Sequence, residues 1–189
     1  MVKLSGLTLK TKPGLNSLLE IKDDPSGSPV SKSATLDALA SVPHSYGGVI
    51  CSNNTTPLSL SASANTHVTS FTGTLPLGGS LTLDGATGII TTSVAGTWDV
   101  SYNLCFKGQT NGLYKFFLGN AGATPYAGTT VERSVGDGAA TYSVSLTGIL
   151  QIATSSEIRL WVNPDTAGNF TLRYAAIRLV RLGPQTFPS

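Results

Sequence analysis

Apolar side chains recur at every second position through most of this chain. The run TWDVSYNLCF (97–106) alternates Trp98, Val100, Tyr102, Leu104 and Phe106 with Asp99, Ser101, Asn103 and Cys105. A period of two is the mark of a half-buried strand, and it holds from about residue 46 onward. LSLSAS (58–63), LTL (81–83) and TGIITTS (87–93) read as short strands. NGLYKFFLGN (111–120) puts Tyr114, Phe116 and Leu118 on one face. TYSVSLTGILQI (141–152) alternates throughout, EIRLWV (157–162) points Ile158, Leu160 and Val162 inward, and NFTLRYAAIRLVRL (169–182) aligns Phe170, Leu172 and Tyr174. Turn-forming stretches separate the runs: NNTTP, PLGG, LDGATG, SVAG, GQTNG, GNAGATP, VGDGA and NPDTAG. Short alternating strands with such punctuation predict an antiparallel all-β sandwich with almost no helix.

Two features depart from simple alternation. The last run changes phase, so that Ile177 and Leu179 replace the expected partners of Tyr174, which predicts a β-bulge near Ala175–Ala176. Several strands also carry an apolar residue on the face that should be wet: Trp161 opposite Ile158, Leu160 and Val162, Phe117 opposite Phe116 and Leu118, and Ile149 opposite Leu150. A strand apolar on both faces is covered on both faces. The expected cover is other copies of the same chain.

Residues 1–45 read differently. The first 40 positions hold nine charged side chains and no aromatic residue precedes Tyr46. Such a segment buries little alone and reads as an arm with a linker, SVPHSYGG (41–48), leading to a body at 46–189 with a short C-terminal tail. Within the arm LLEIK and VSKSAT suit two extended pieces joined by DDPSGSP, dense in turn formers. Thr35 suits the cap of a short helix, LDALA.

Composition narrows the function. Of 189 residues 40% are hydrophobic, enough for a core, and only 12% are charged, so solubility rests on Ser, Thr, Asn and Gly. The net charge of +2 points to neither nucleic acid nor a membrane surface. Cys51 and Cys105 form neither a disulfide framework nor a zinc spacing, and read as packed, reduced thiols. Residues 1–20 lack a continuous apolar stretch, so secretion by the standard route is not expected. No apolar run is long enough to cross a bilayer.

Residues that do chemistry are scarce. His44 and His67 have no second ligand at metal-binding spacing and read as exposed imidazoles. No G-x-S-x-G elbow is present. Asp84, Glu132, Asp137, Glu157 and Asp165 lie in or beside turns, and Asp99 is the exception, on a strand. No acidic loop is dense enough for calcium. No cofactor, no metal and no catalytic residue is expected. Arg173, Arg178 and Arg181 crowd the last strand, where they suit a solvated face, an anion, or acids across a subunit interface.

The run GIITTSVAGTWDVSYNLCF (88–106), with an N-G turn soon after, and the apolar final strand YAAIRLVRL (174–182) resemble the tumour-necrosis-factor-like jelly roll, which includes the globular head of complement. The likeness spans about 46–182. It departs at ATSSEIRLWV, where that family often carries a Gly-Asp pair. The resemblance implies a homotrimer about a threefold axis, with Phe117, Ile149, Trp161, Arg173 and Arg178 as interface candidates. LLEIKDDPSGSPVSKSATLDAL (18–39) resembles N-terminal stretches of structural proteins of tailed bacteriophages. That implies a non-enzymatic virion protein assembled in a host cytoplasm: a capsid decoration or cement protein attached to the major capsid protein, or another virion protein, through its arm. Leu18, Leu19, Ile21, Pro25, Pro29, Val30, Leu36 and Leu39 are the anchoring candidates. The alternative is a head- or tail-fibre knob binding a host glycan or protein through LDGATG, GNAGATPYAG or SVGDGAA. A carbohydrate-binding module or an enzyme on the same scaffold is a third possibility.

Overall fold

The structure is a computed structural model that describes residues 18–23, 30–35 and 45–183. The chain divides into two compact units, Met1–Pro43 and His44–Ser189. In the first, β1 (Leu18–Asp23) and β2 (Val30–Thr35) form an antiparallel hairpin in which Leu18 faces Thr35 and Asp23 faces Val30. These are the two extended pieces expected from LLEIK and VSKSAT. The expected helix at 36–40 lies outside the described residues.

The second unit is an antiparallel β-sandwich, and no helix occurs among the described residues. Its strands are β3 (Tyr46–Cys51), β4 (Leu58–Leu60), β5 (Thr66–His67), β6 (Gly73–Thr74), β7 (Leu81–Asp84), β8 (Ile89–Thr92), β9 (Gly96–Lys107), β10 (Leu113–Gly119), β11 (Val131–Ser134), β12 (Tyr142–Ile152), β13 (Ser156–Pro164) and β14 (Gly168–Gly183). One sheet runs β12-β9-β14-β3-β6, with β4 also on β14. The other runs β11-β10-β13-β8-β7, with β5 also on β13. We call them the first and second sheet.

Alternation fills the space between the sheets. Trp98, Val100, Tyr102, Leu104 and Phe106 of β9 are all buried and meet Tyr114, Phe116 and Leu118 of β10 and Ile158, Leu160 and Val162 of β13. Phe106 stands at the centre of an aromatic cluster, 4.8 Å from Phe116 and 5.4 Å from Phe170 between ring centroids. Such offset aromatic pairs add about 0.5–1.5 kcal/mol each beyond their buried area. The polar end of Tyr102 is satisfied inside this core, where its hydroxyl donates to the Thr129 carbonyl at 2.9 Å. Burial pushes its phenol well above the ordinary range.

Three local expectations change. The bulge on β14 falls between Leu172 and Tyr174, earlier than the hydrophobic pattern places it. Tyr174 is therefore turned out and is 50% exposed, whereas Ala175 takes the buried position. The linker 41–48 ends sooner than expected, because Tyr46, Gly47 and Gly48 already belong to β3. Gly48 is required there: a Cβ would collide with the backbone carbonyl of Ile177 on β14. LSLSAS supplies strand only over Leu58–Leu60. The two-residue strands β5 and β6 are too short to show any period.

Candidate self-association face

The first sheet has one face on the core and one face outward. Strand register fixes what the outward face presents. Ser145, Asn103, Ala176 and Ile50 lie side by side across β12, β9, β14 and β3. Two residues along, Thr147, Ser101, Arg178 and Gly48 form the next row. Beyond it stand Ile149, Asp99, Val180 and Tyr46. At the other end Ser143 and Cys105 align with Tyr174.

This face mixes exposed apolar side chains with short Ser, Thr, Asn and Ala side chains and carries few charges. Seven large hydrophobic residues are exposed among the described residues, and five of them, Tyr46, Ile149, Tyr174, Val180 and Leu182, come from β3, β12 and β14. Ile149 is 68% exposed although its neighbours Leu150 and Ile152 are buried. Beside Tyr174 the short side chains of Ser143, Ser145, Asn103 and Cys105 leave a depression of about 580 Å³. Large apolar side chains left exposed on one sheet face are a feature of interaction sites on soluble proteins.

Ile149 and Arg178, two of the residues expected at a subunit interface, are on this face in adjacent rows. Arg173 lies at the β14 bulge, at the Tyr174 end. Phe117 and Trp161 are not on it. They face each other directly on β10 and β13, in the second sheet, and are 1% and 8% exposed within a single chain. Their cover comes from the chain itself. Trp161 donates its indole N–H to the Asn120 carbonyl at 3.1 Å, and β5 brings His67 to 5.5 Å from its ring. The inference that a sister copy must bury these two side chains therefore falls away.

His67 is likewise not the free imidazole its polar surroundings in sequence imply. It is half-buried, and its Nε2 has no hydrogen-bond partner among the described residues. Burial first, and the neighbouring Arg159 guanidinium second, hold its pKa below the ordinary value, against a smaller opposing pull from Glu157. Tyr174, Val180 and Tyr46 are on this face but not among the interface residues expected from sequence. The bulge position hides Tyr174. The others become visible only through cross-strand register.

The remaining candidates carry structural roles. Asp84 Oδ1 accepts from the amides of Ala86 and Thr87. Asp137 accepts from the Ala139 amide and Asp165 from the Leu113 amide. Glu157 pairs with Arg159 two residues along β13. Cys51 and Cys105 are free thiols; Cys51 is buried and its pKa is raised by that burial. Among the described residues no three His, Cys, Asp or Glu side chains cluster as metal ligands do. Of the anchoring candidates, Leu18, Leu19, Ile21 and Val30 lie on β1 and β2. Pro25, Pro29, Leu36, Leu39 and also His44 lie outside the described residues.

No protein-family model matches the chain, and no curated protein matches its sequence. Solved structures do resemble it. The Eiger TNF of S. frugiperda is 14% identical with a TM-score of 0.54, over 78% of this chain and 98% of that one. The globular domain of zebrafish complement 1qA is 14% identical with a TM-score of 0.46, over 76% and 99%. Murine APRIL is 17% identical with a TM-score of 0.48, over 74% and 99%. The body is a TNF-like jelly roll. In this chain the loop after β10 covers the outer side of the second sheet at Trp161, whereas Ile149, Tyr174 and Val180 of the first sheet stand exposed.

Proposed function

We propose that this chain is a non-enzymatic building block that closes on copies of itself, as a homotrimer, through the outward face of the first sheet. One observation carries the reading: Ile149, Val180, Tyr46 and Tyr174 stand exposed on one sheet face among Ser, Asn, Ala and Gly. Water is a poor neighbour for these side chains, and a second copy with the same face is the partner always at hand. The TNF-like fold supports three copies about one axis. Asp84, Asp137 and Asp165 are each engaged by backbone amides, which favours assembly over catalysis.

The arm gives the finer reading. Its likeness in sequence to N-terminal stretches of phage structural proteins is the ground for reading the chain as a virion decoration or cement protein, fastened to the major capsid protein or a neighbouring virion protein through residues 18–39. Two free cysteines suit assembly in a reducing host cytoplasm. The test is sedimentation of the full chain and of a chain lacking residues 1–40, alone and with virus particles from the producing host. Both forms are expected to run as trimers, and only the full chain to pellet with particles. Particle binding by the shortened chain refutes the arm's role, and a monomeric full chain refutes the assembly.

A second reading has its own observation. The Asn120–Tyr126 loop and the turn after β12 enclose a groove of about 570 Å³ lined by Asn120, Tyr126, Gln151, Ser155 and Glu157. Amides, hydroxyls and one aromatic ring suit a sugar, so the same trimer serves as a fibre knob recognising host glycan. Saturable binding of the body on a glycan array favours this role over cement.

A further inference from the structure

The charges on the first sheet are few and unequal. Its six strands β3, β4, β6, β9, β12 and β14 hold one acidic residue, Asp99, and four basic ones, Lys107, Arg173, Arg178 and Arg181. Arg181 stands opposite Trp98, on the core side of the sheet by alternation, and its Nη2 donates to the Ala95 carbonyl at 3.0 Å. Lys107 ends β9 and Arg173 sits at the bulge, both far from Asp99 along the strands. Arg178 is therefore the cation nearest Asp99 in register: it faces Ser101, and Asp99 faces Val180, one row away. Diagonal residues on neighbouring strands are within reach of a long side chain. Yet the two do not pair within the chain. The one salt bridge among the described residues is Arg159 with Glu157, in the other sheet.

Asp99 also stands in the least suitable row for a lone carboxylate. Its cross-strand neighbours are Ile149 and Val180, both exposed and apolar. If copies meet on this face, an unpaired carboxylate and guanidinium there lose their water together. Burying either alone is costly, and burying them as a pair is far less so.

We propose that Asp99 of one copy pairs with Arg178 of the next, and that this pair sets the register in which copies associate. The inference rests on the self-association reading above. Around a closed ring each copy gives its acid to one neighbour and its base to the other, so every charge is matched without any change within the chain.

The experiment uses the full chain and four samples: wild type, Asp99→Lys, Arg178→Glu, and the double exchange. Sedimentation velocity over a concentration series reads the assembly constant, and near-ultraviolet circular dichroism checks that each variant is folded. Each single exchange is expected to weaken association at least about tenfold, and the double exchange to return it to within about threefold of wild type. Single exchanges that associate as wild type does, or a double exchange that stays as weak as the singles, overturn the pairing. A wild-type chain that remains monomeric throughout overturns the self-association reading and the pairing with it. Mixing the two single variants adds a symmetry readout. A ring of three built from two kinds always leaves one like pair in contact, so the mixture is expected to recover only in part. Full recovery instead means a twofold assembly held by the same pair.

Discussion

Trp161 lies directly across from Phe117 on the neighbouring strand, and its indole N–H reaches the Asn120 carbonyl at 3.1 Å. One apolar pair thus fastens the loop after β10 over the outward side of the second sheet. A Cβ on Gly119 would come within 3.1 Å of both rings, so the loop leaves β10 with no room to spare. That sheet is covered here by its own chain, and the apolar surface left in water lies mainly on the first sheet.

Trp161→Ala removes the larger ring and the anchor for Asn120 together. The expected loss is about 3–5 kcal/mol of stability, as for other buried aromatic truncations. The measurement is urea unfolding of wild type and variant at equal protein concentration. The folded variant is expected to assemble as wild type does, because the pair lies in the sheet away from the association face. A variant that loses assembly while keeping its stability contradicts this placement.

Thr129 is wholly buried and joins the same loop to the core. Its hydroxyl oxygen lies 2.9 Å from the Leu118 carbonyl and 2.7 Å from the Tyr126 carbonyl, and accepts from the Leu118 amide at 3.2 Å. Its backbone carbonyl accepts from Tyr102. Thr129→Val keeps the shape and deletes the hydroxyl, leaving the Leu118 amide without that acceptor. The expected cost is about 1–3 kcal/mol, the range for a buried polar group deprived of its partner. Unfolding by denaturant checks it, and a neutral result means water replaces the hydroxyl.

His67 gives the body a dependence on acidity. Its imidazole packs on Trp161, faces Arg159 and Glu157 from β13, and has its pKa held below the ordinary 6.5 in the folded chain. The unfolded chain therefore takes up a proton first as pH falls. Stability from this group is whole above about pH 6.5 and declines as pH drops from there toward the lower folded value, then stops changing. His67→Gln is expected to flatten that part of the profile. Midpoints of urea unfolding between about pH 5 and 8, wild type against variant, read the effect. A larger drop in the variant than in wild type on acidification contradicts the depressed pKa.

Much of this fold is written in alternation alone. The buried face of β9, from Trp98 to Phe106, follows from counting by two, and so do Tyr114, Phe116 and Leu118 on β10. What alternation cannot supply is which segment covers an apolar outer position. Phe117, Trp161 and Ile149 look alike in sequence, yet a loop and β5 bury the first two and none of the described residues buries the third. The deciding neighbour of Trp161, His67, is 94 positions away, paired through a strand of two residues. The bulge on β14 shows the same gap at short range. Either Tyr174 or Ala175 suits the core by polarity, and only the pairing with β9 chooses between them. The proposed association face is legible in part, through Ile149 and Arg178, with Arg173 at its bulge end. Its rows exist only after four strands are in register.

Tyr174 supplies the sharpest test of that face. It is half exposed at the edge of the depression floored by Ser143, Ser145, Asn103 and Cys105. A large ring beside a hollow of small side chains is the shape expected when one copy's ring enters the next copy's hollow. Tyr174→Asp then places a second acid where a neighbour must dehydrate it. Because the ring is exposed in the isolated chain, stability of the single chain is expected to change by no more than about 0.5 kcal/mol. Association is expected to weaken by at least about a hundredfold, the loss typical of an aromatic anchor buried in an interface. Ile149→Asp, across the face near Asp99, is expected to act the same way by adding like charge beside a carboxylate. Light scattering from micromolar to near-millimolar protein gives the assembly state, and thermal unfolding at low concentration gives the stability. Two variants that unfold as wild type does but no longer assemble locate the contact on the first sheet. Two variants that still assemble place it elsewhere on the molecule.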